Sequence, residues 1–473
     1  MIQHCYTIDI NHFIVSFSDA IWEYFLIFVL IIAALYFTIK TGAVQFRLFP
    51  QMCKGLVERR KIKDDKHHSI SAFQAFAVSI ATRVGTGNLA GVATAIAMGG
   101  PGAVFWMWLI ALLGSATAFV ESTLAQLFKV RSKHSFIGGP AYYIKHGLNN
   151  KTLAIIFALV MTLTFGLTYN SIQSNTICEA MKTAFGFDRT IVGIGLCIIS
   201  LIVVFGGIQR IAKVSSIIVP IMALGYLILA LYVILHHINL IPEVLYLIFS
   251  DAFGTDKVFA GGVGATMMWG LKRGLFSNEA GEGSAPHAAA TATTTHPVKQ
   301  GLVQALGVFT DTLVVCSCTA FIILLSGAYQ NEGLNGISLT QAALKHEIGQ
   351  IGVYFLAIAI FLFAYSSILG NFYYGESNIR FITNKKIYLQ IFRVLSGGVF
   401  VLFGAIASLT TVWNLGDICM AIITTINLYA IFRLGKYAFR LLKDYSRQKR
   451  EGKDPVFNSN TLPEIKDKIE CWD

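Results

Sequence analysis

Eleven stretches of this chain are apolar over the length, about 20 residues, that a helix needs to cross ~30 Å of hydrocarbon. They fall at roughly 21–39, 70–98, 102–128, 152–184, 190–208, 214–236, 258–293, 300–327, 350–377, 387–407 and 409–432. Inside lipid a backbone must satisfy its own hydrogen bonds, so runs of this length leave the helix as the available structure. Composition closes the alternatives. Of 473 residues, 55% are hydrophobic and 13% charged, against about 25% charged in soluble domains. Too few polar side chains remain to cover a water-facing surface, which excludes a soluble enzyme, a secreted disulfide scaffold and a disordered protein. The expectation is an all-α polytopic membrane protein with 11 transmembrane helices.

The charges orient it. With 37 Lys and Arg against 26 Asp and Glu the net charge is +11, and nucleic acid is the ordinary partner of a basic chain. Here, however, the bases sit in short connections between apolar runs, where they report membrane orientation. Lys40, Arg47, Lys54, Arg59, Arg60, Lys61, Lys63 and Lys66 crowd the first connection. Lys129, Arg131, Lys133 and Lys145 follow the third run, Arg210 and Lys213 the fifth, Lys299 the seventh, Arg380, Lys385 and Lys386 the ninth. The tail opens with Arg433, Lys436, Arg440 and Lys443. All fall on one side if the runs alternate, and the opposite connections carry Asp188, Glu243, Asp251, Asp256, Glu332 and Glu347.

The expected layout follows for a multi-pass protein of the plasma (inner) membrane. Residues 1–20 form an extracytoplasmic N-terminus, 40–69 a basic cytoplasmic loop, 237–257 an extracytoplasmic loop and 433–473 a cytoplasmic tail. The first run is too long for a cleavable leader and lacks preceding bases. The tail end, 451–473, is polar and expected to fray. The segment 129–151, containing GGPAYYI, is expected to lie amphipathically on the cytoplasmic face. The eight cysteines show no CxxC pairing and read as reduced, buried thiols. His67-His68 and His236-His237 have no carboxylate or cysteine beside them and read as solvated or interfacial.

Two segments break the apolar pattern. Residues 81–91 read ATRVGTGNLAG and residues 270–296 read GLKRGLFSNEAGEGSAPHAAATATTTH. Glycine costs a helix interior about 1 kcal/mol against alanine, and an ionisable group at the bilayer centre costs ~2.5–3.5 kcal/mol or more. Irregular backbone at that depth survives only inside protein or beside a cavity.

Sliding the chain by 190 residues lays Arg83, Asn88, Ala90 and Gly91 on Arg273, Asn278, Ala280 and Gly281, and Glu121-Ser122 on Asp311-Thr312. The two copies start on opposite sides, so they are antiparallel. Inverted repeats with paired broken helices point to a transporter whose site lies midway across the bilayer. A break frees amides that can hold a carboxylate and carbonyls that can hold a cation. Gly85 and Gly87 admit a ligand close to the backbone, while Thr86 and Asn88 add side-chain oxygens. Close helix packing through small residues is the competing reading, but it leaves Asn88, Ser277, Asn278 and Glu279 at matched depth unexplained.

The strings VGTGNLAGVATAIAMGGPGAVFWMW (84–108), GGPAYYI (138–144) and LKRGLFSNEAGEGSAPHAA (271–289) resemble the alanine/glycine:cation symporter family over about residues 20–440. The resemblance implies uptake of a small neutral amino acid such as alanine or glycine, coupled to Na⁺ or less often H⁺. Na⁺ is then a co-transported ion, and no cofactor is implied. It also implies a LeuT-type 5+5 inverted repeat, residues 70–236 and 258–432, behind one extra N-terminal helix at 21–39.

A more distant similarity, to sodium-coupled neurotransmitter-type symporters, rests on Val84-Gly85-Thr86-Gly87-Asn88, Gly99-Gly100-Pro101-Gly102 and Glu121. By that similarity the amides of Thr86 and Gly87 hold the substrate carboxylate. The carbonyls of Ala81 and Val84 face a sodium completed by the hydroxyls of Ser366 and Ser367. The second break, Phe276-Ser277-Asn278, supplies the rest of the pocket and receives the substrate ammonium, with Phe276 a gate or core residue. Gln173, in the polar stretch Tyr169–Gln173, is a further substrate contact.

The distant symporters lack an Arg at position 83 and a pair like Lys272-Arg273. These charges are expected to pair with Glu279, Glu121 or Asp311 and hold the repeats together. The resemblance also favours sodium over a proton: proton-coupled relatives of the fold can put a Lys amine of the fifth core helix where sodium would sit, and 214–235 contains no Lys, Lys213 lying at its mouth. A channel would show a continuous polar stripe, and a membrane enzyme an HExxH, GxSxG or paired-carboxylate site; neither pattern is present. The partners implied are the amino acid, Na⁺ and the lipid bilayer, not nucleic acid, and the sequence fixes no oligomeric state.

Overall fold

A computed structural model of the chain describes residues 15–57, 70–132, 136–205, 207–254 and 262–472. The bases at 59–66, the pair His67-His68, Lys133, Asp256 and the side chains of Arg210 and Lys213 lie outside the described residues. Helix α1, Val15–Lys40, is followed by α2, Phe49–Val57. Next come α3, Ala72–Arg83, α4, Gly87–Gly99, and α5, Ala103–Leu127. A two-residue hairpin, β1 Val130–Arg131 with β2 Phe136–Ile137, leads into α6, Pro140–Gly147. Then follow α7, Lys151–Phe185, α8, Arg189–Val204, α9, Gly207–His236, and α10, Ile241–Ala252. The remainder is α11, Gly262–Asn278, α12, Ala285–Thr291, α13, Pro297–Leu325, α14, Ile337–Ile348, α15, Gln350–Ile382, α16, Lys386–Ile406, and α17, Leu409–Arg450.

Among the described residues, seven helices (α1, α5, α7, α13, α15, α16 and α17) are long and apolar enough to span a membrane, or eight counting the bent pair Pro220–His236 and Ile238–Ala252. The other expected runs fall short of that length for local reasons. The run at 190–208 forms only Arg189–Val204, and those at 70–98 and 258–293 are each split into two helices.

Helix α3 starts on a capping box: Gln74 N–H donates to Ser71 Oγ at 3.1 Å while Ser71 N–H donates to the Gln74 side chain at 2.9 Å. It stops at Arg83 because Val84 turns extended (ψ 94°) and the Gly85 N–H turns to Asn88 Oδ1, 2.9 Å away. Ala81 O thus loses its helical donor. The second interruption lies later than the sequence suggests. Phe276, Ser277 and Asn278 are the last turn of α11, and the chain unwinds over 279–284, where Glu279 (φ 56°), Gly281 (φ 98°) and Gly283 (φ 83°) are left-handed. Arg83 ends its helix whereas Arg273 lies inside α11, so the 190-residue offset does not align the two breaks.

Around the broken helices, α5 packs against α13, α11, α1 and α12, and α15 packs against α7, α9 and α3. Contact is close where side chains are small: a Cβ on Gly301 of α13 would meet Phe119 O of α5 at 2.8 Å.

Two surface expectations are corrected. Within 129–151, Pro140 to Ile144 are buried rather than laid on the face, with Tyr143 O–H donating to Asn427 of α17. The tail end does not fray. Phe457, Leu462, Ile465, Ile469 and Trp472 are buried, Phe457 N–H donates to Thr295 O at 2.8 Å, and Trp472 Nε1–H donates to Gln126 O at 2.9 Å. Five spaced apolar residues anchor a segment whose average is polar. His237 also has a carboxylate partner, Glu347 of α14, at 2.7 Å.

Candidate functional site

The first break gathers most of the residues singled out in the sequence. Thr86 N–H donates to Gln173 Oε1 of α7 at 3.1 Å, and the Thr86 hydroxyl donates to the same oxygen. On the other side, Ser367 Oγ of α15 lies 2.9 Å from Ala81 O and Ser366 Oγ 3.5 Å from it. Space is tight: a Cβ on Gly85 would run into Ser367 Oγ and come within 3.1 Å of Gln173 Oε1. A Cβ on Gly87 would meet Ser277 Cα at 3.0 Å and the Phe276 ring at 3.2 Å. Glycine at 85 and 87 is therefore a requirement of contact. Val84 is the extended residue closing α3.

Asn88 joins this break to the second half of the chain. Its Nδ2 donates to Asp311 Oδ1 of α13 at 2.7 Å, and Ser277 Oγ donates to Asp311 Oδ2 at 2.7 Å. Asp311 sits on a π-helical turn, Phe309–Cys316, and Tyr169 ends another, Thr164–Tyr169. Such turns widen a helix locally and redirect side chains. The Phe276 ring is wedged between Tyr169 at 4.9 Å and Trp413 at 4.7 Å, forming an aromatic row beside Gly87.

The second break is held differently. Glu121 of α5 accepts from Gly281 N–H at 3.2 Å, from Gly283 N–H at 3.1 Å and from Asn427 Nδ2 at 2.7 Å, while Asn427 also donates to Gly281 O at 2.8 Å. Glu279 accepts from Ser284 Oγ and, at 3.4 Å, from Thr82 Oγ1 of α3. Asn278 Oδ1 accepts from Ala280 N–H at 3.0 Å, a turn that opens the break just past the end of α11, while its Nδ2 is buried without a protein partner.

The charged pairs differ from expectation as well. Arg273 binds none of Glu279, Glu121 and Asp311. It makes a two-pronged pair with Asp417 of α17, at 3.1 and 2.8 Å, and Lys272 Nζ meets the same carboxylate at 2.9 Å. Trp22 Nε1–H of α1 donates to Asp417 O at 3.2 Å, so three elements meet there. The fork geometry matters because a buried pair offsets its desolvation only when well aligned. Arg83 donates from Nη1 to Gln304 O of α13 at 3.1 Å, and its Nε and Nη2 have no protein partner. Its charge reaches Glu121, Glu279 and Asp311 at longer range without a direct pair among the described residues.

Asp417, Asn427 and Glu282 were missed by the sequence reading. Asp417 is the one acid in the apolar run 409–432, and an intramembrane carboxylate asks for a cation. That signal would have found its pairing with Arg273. Glu282 is buried with Tyr169 O–H 3.4 Å from its Oε2.

The sequence profile of the sodium:alanine symporter family matches residues 7–459. A probable sodium/glutamine symporter of Bacillus subtilis is 48% identical over 98% of this chain and 96% of that protein. An amino-acid carrier protein of the same organism is 47% identical over 96% of each chain. A sodium/alanine symporter of Methanococcus maripaludis is 36% identical over 92% of this chain and 98% of that one. Among solved structures, a nucleobase-cation-symport-1 family transporter aligns at TM-score 0.39 and 14% identity, over 84% of this chain and 81% of that one. The chain belongs to the sodium:alanine symporter family and is a multi-pass membrane transporter that couples sodium to amino-acid transport.

Proposed function

We propose that this protein imports a small neutral amino acid such as alanine or glycine together with Na⁺, by alternating access around the first break. The observation that carries the reading is the pairing, across Gly85, of a polar amide–hydroxyl corner at Thr86 with a carbonyl–hydroxyl corner at Ala81, Ser366 and Ser367. Gln173 Oε1 accepts both Thr86 donors, which is the position a substrate carboxylate oxygen would take. The Thr86 and Gly87 amides at the start of α4 then hold that carboxylate, aided by the helix dipole. Ala81 O, deprived of its helical donor, joins Val84 O and the two serine hydroxyls around the ion, an oxygen-only set suited to a hard cation. Phe276 and Ser277 close the pocket beside Gly87 and face the substrate.

The architecture we propose is the LeuT-type 5+5 repeat behind one extra helix, 11 spans in all. The reciprocity of the two acids supports it: Glu121 of the first half braces the second break, and Asp311 of the second half reaches the first through Asn88. The basic end, with Lys40, Arg47 and Lys443, faces the cytoplasm of a cell whose plasma (inner) membrane holds the protein, and the N-terminus lies outside. One Na⁺ falling through −100 mV releases about 2.3 kcal/mol. Tenfold concentration of a zwitterion costs about 1.4 kcal/mol, so voltage alone supports roughly fortyfold accumulation.

Glutamine is the second reading, favoured by the relative at 48% identity that is named a probable sodium/glutamine symporter. The test is uptake by proteoliposomes across labelled alanine, glycine, serine and glutamine, with Na⁺ or choline outside at fixed pH. Uptake of the small substrates should collapse in choline and in Thr86→Val, which still inserts. Uptake that ignores both changes would overturn the proposal.

A further inference from the structure

At the basic end of the bundle a cavity of about 670 Å³ opens between the end of α1, the turn before α2 and the far part of α17. Among the described residues five cations line it, Lys40 from α1, Arg47 from the turn, and Lys443, Lys449 and Arg450 from α17, and no carboxylate does. The nearest acids along α17 are engaged elsewhere: Asp444 with Arg447 at 2.6 Å and Gln448 at 2.8 Å, and Glu451 with Lys453 at 2.7 Å. Among the described residues Lys443, Lys449 and Arg450 make no ion pair.

Bases scattered at span ends would suffice to orient a membrane protein. Convergence of five, from three separate segments, on one cavity is a different arrangement. Two further polar atoms in its lining, Ser446 Oγ and Gln51 Oε1, are buried without a protein partner. One is a hydroxyl able to donate to a phosphate oxygen. The other is a carbonyl oxygen able to accept from a hydroxyl.

A second feature says what kind of anion fits. Phe28, Ile32, Leu35 and Ile39 are 57%, 60%, 44% and 74% exposed and recur at helical spacing down one face of α1. That stripe ends in the cavity, where Ile39 is part of the lining. A soluble anion would use the cations and leave the stripe idle; a lipid uses both.

We propose that this cavity binds an anionic glycerophospholipid with a hydroxyl-bearing headgroup. Its phosphodiester sits among Arg47, Lys443, Lys449 and Arg450, its headgroup hydroxyl meets Gln51, and its acyl chains follow Phe28–Ile39. Charge-assisted hydrogen bonds from Lys and Arg to phosphate supply the binding. The inference is independent of which amino acid or ion the protein carries.

The test is native mass spectrometry of the purified full-length protein titrated with phosphatidylglycerol or with phosphatidylcholine of the same chains. Phosphatidylglycerol should be retained preferentially. Lys443→Gln/Lys449→Gln/Arg450→Gln should weaken that retention by roughly a hundredfold with the melting temperature unchanged. Lys453→Gln/Lys466→Gln/Lys468→Gln, which removes equal charge outside the cavity, should leave retention intact. Equal retention of the two lipids, or equal loss in both triple variants, would overturn the proposal. Displacement of the lipid by glycerol phosphate at matching concentration would also overturn it, since that result marks a site for a soluble anion.

Discussion

The two broken helices solve the same problem in opposite ways. At the second break, 279–284, the freed amides of Gly281 and Gly283 are taken by Glu121, a buried carboxylate on another helix, which Asn427 secures in turn. At the first break, Gly85 N–H is answered locally by Asn88, whereas the Thr86 amide meets the neutral side-chain amide of Gln173, which a ligand carboxylate could replace as acceptor. A break locked by a fixed carboxylate is a joint; a break whose groups meet exchangeable partners is a binding site. On the function proposed above, that difference goes with the amino acid and its ion at the first break and a bracing role for the second.

The largest expected effect breaks the joint. Glu121→Ala leaves two buried amides and the Asn427 side chain without their acceptor, at about 1–3 kcal/mol for each unpaired amide. Thermal melting in detergent should show a strongly destabilised protein; an unchanged melt would mean that Glu121 is not the brace. Gly85→Ala comes next, because its Cβ would displace the Ser367 hydroxyl and crowd Gln173. Overpacking of this kind costs about 1–3 kcal/mol, and it should appear as lost transport with near-normal melting, the reverse of the Glu121 outcome.

Ser367→Ala sharpens the comparison further. It removes one oxygen beside Ala81 O and should raise the Na⁺ concentration for half-maximal uptake about tenfold, with little change in substrate affinity at saturating Na⁺. Asn278→Ala should have the smallest effect. Its Oδ1 holds the turn to Ala280 N–H just past the end of α11, so the loss is about 0.5–1.5 kcal/mol of stability and uptake continues. Abolished uptake in Asn278→Ala would return this residue to the pocket and blur the distinction between the breaks.

Much of the first break was legible in the sequence because its signal is local. The string ATRVGTGNLAG puts two glycines, a hydroxyl and an amide where an apolar helix should continue, and the chain unwinds there. The second break was legible in kind but not in position. GLFSN stays helical despite its weak helix formers, and what unwinds the chain is the left-handed turn at Glu279 with Gly281 and Gly283, stabilised by a carboxylate 160 residues away. Long-range pairing also explains the misassigned charges: Arg273 meets Asp417, 144 residues on, past the nearer Glu279 and Asp311. The tail was misread because average polarity hides five spaced apolar side chains that cover the end of α5 and the start of α13.

The most direct measurement is an experimental density map of the protein loaded with Na⁺ and the transported amino acid. The account predicts the substrate carboxylate within hydrogen-bond distance of the Thr86 N–H, with Gln173 turned aside and the ion between Ala81 O and Ser367 Oγ. Substrate density against the Gly281–Gly283 amides instead, with the Thr86–Gln173 contact intact, would contradict it.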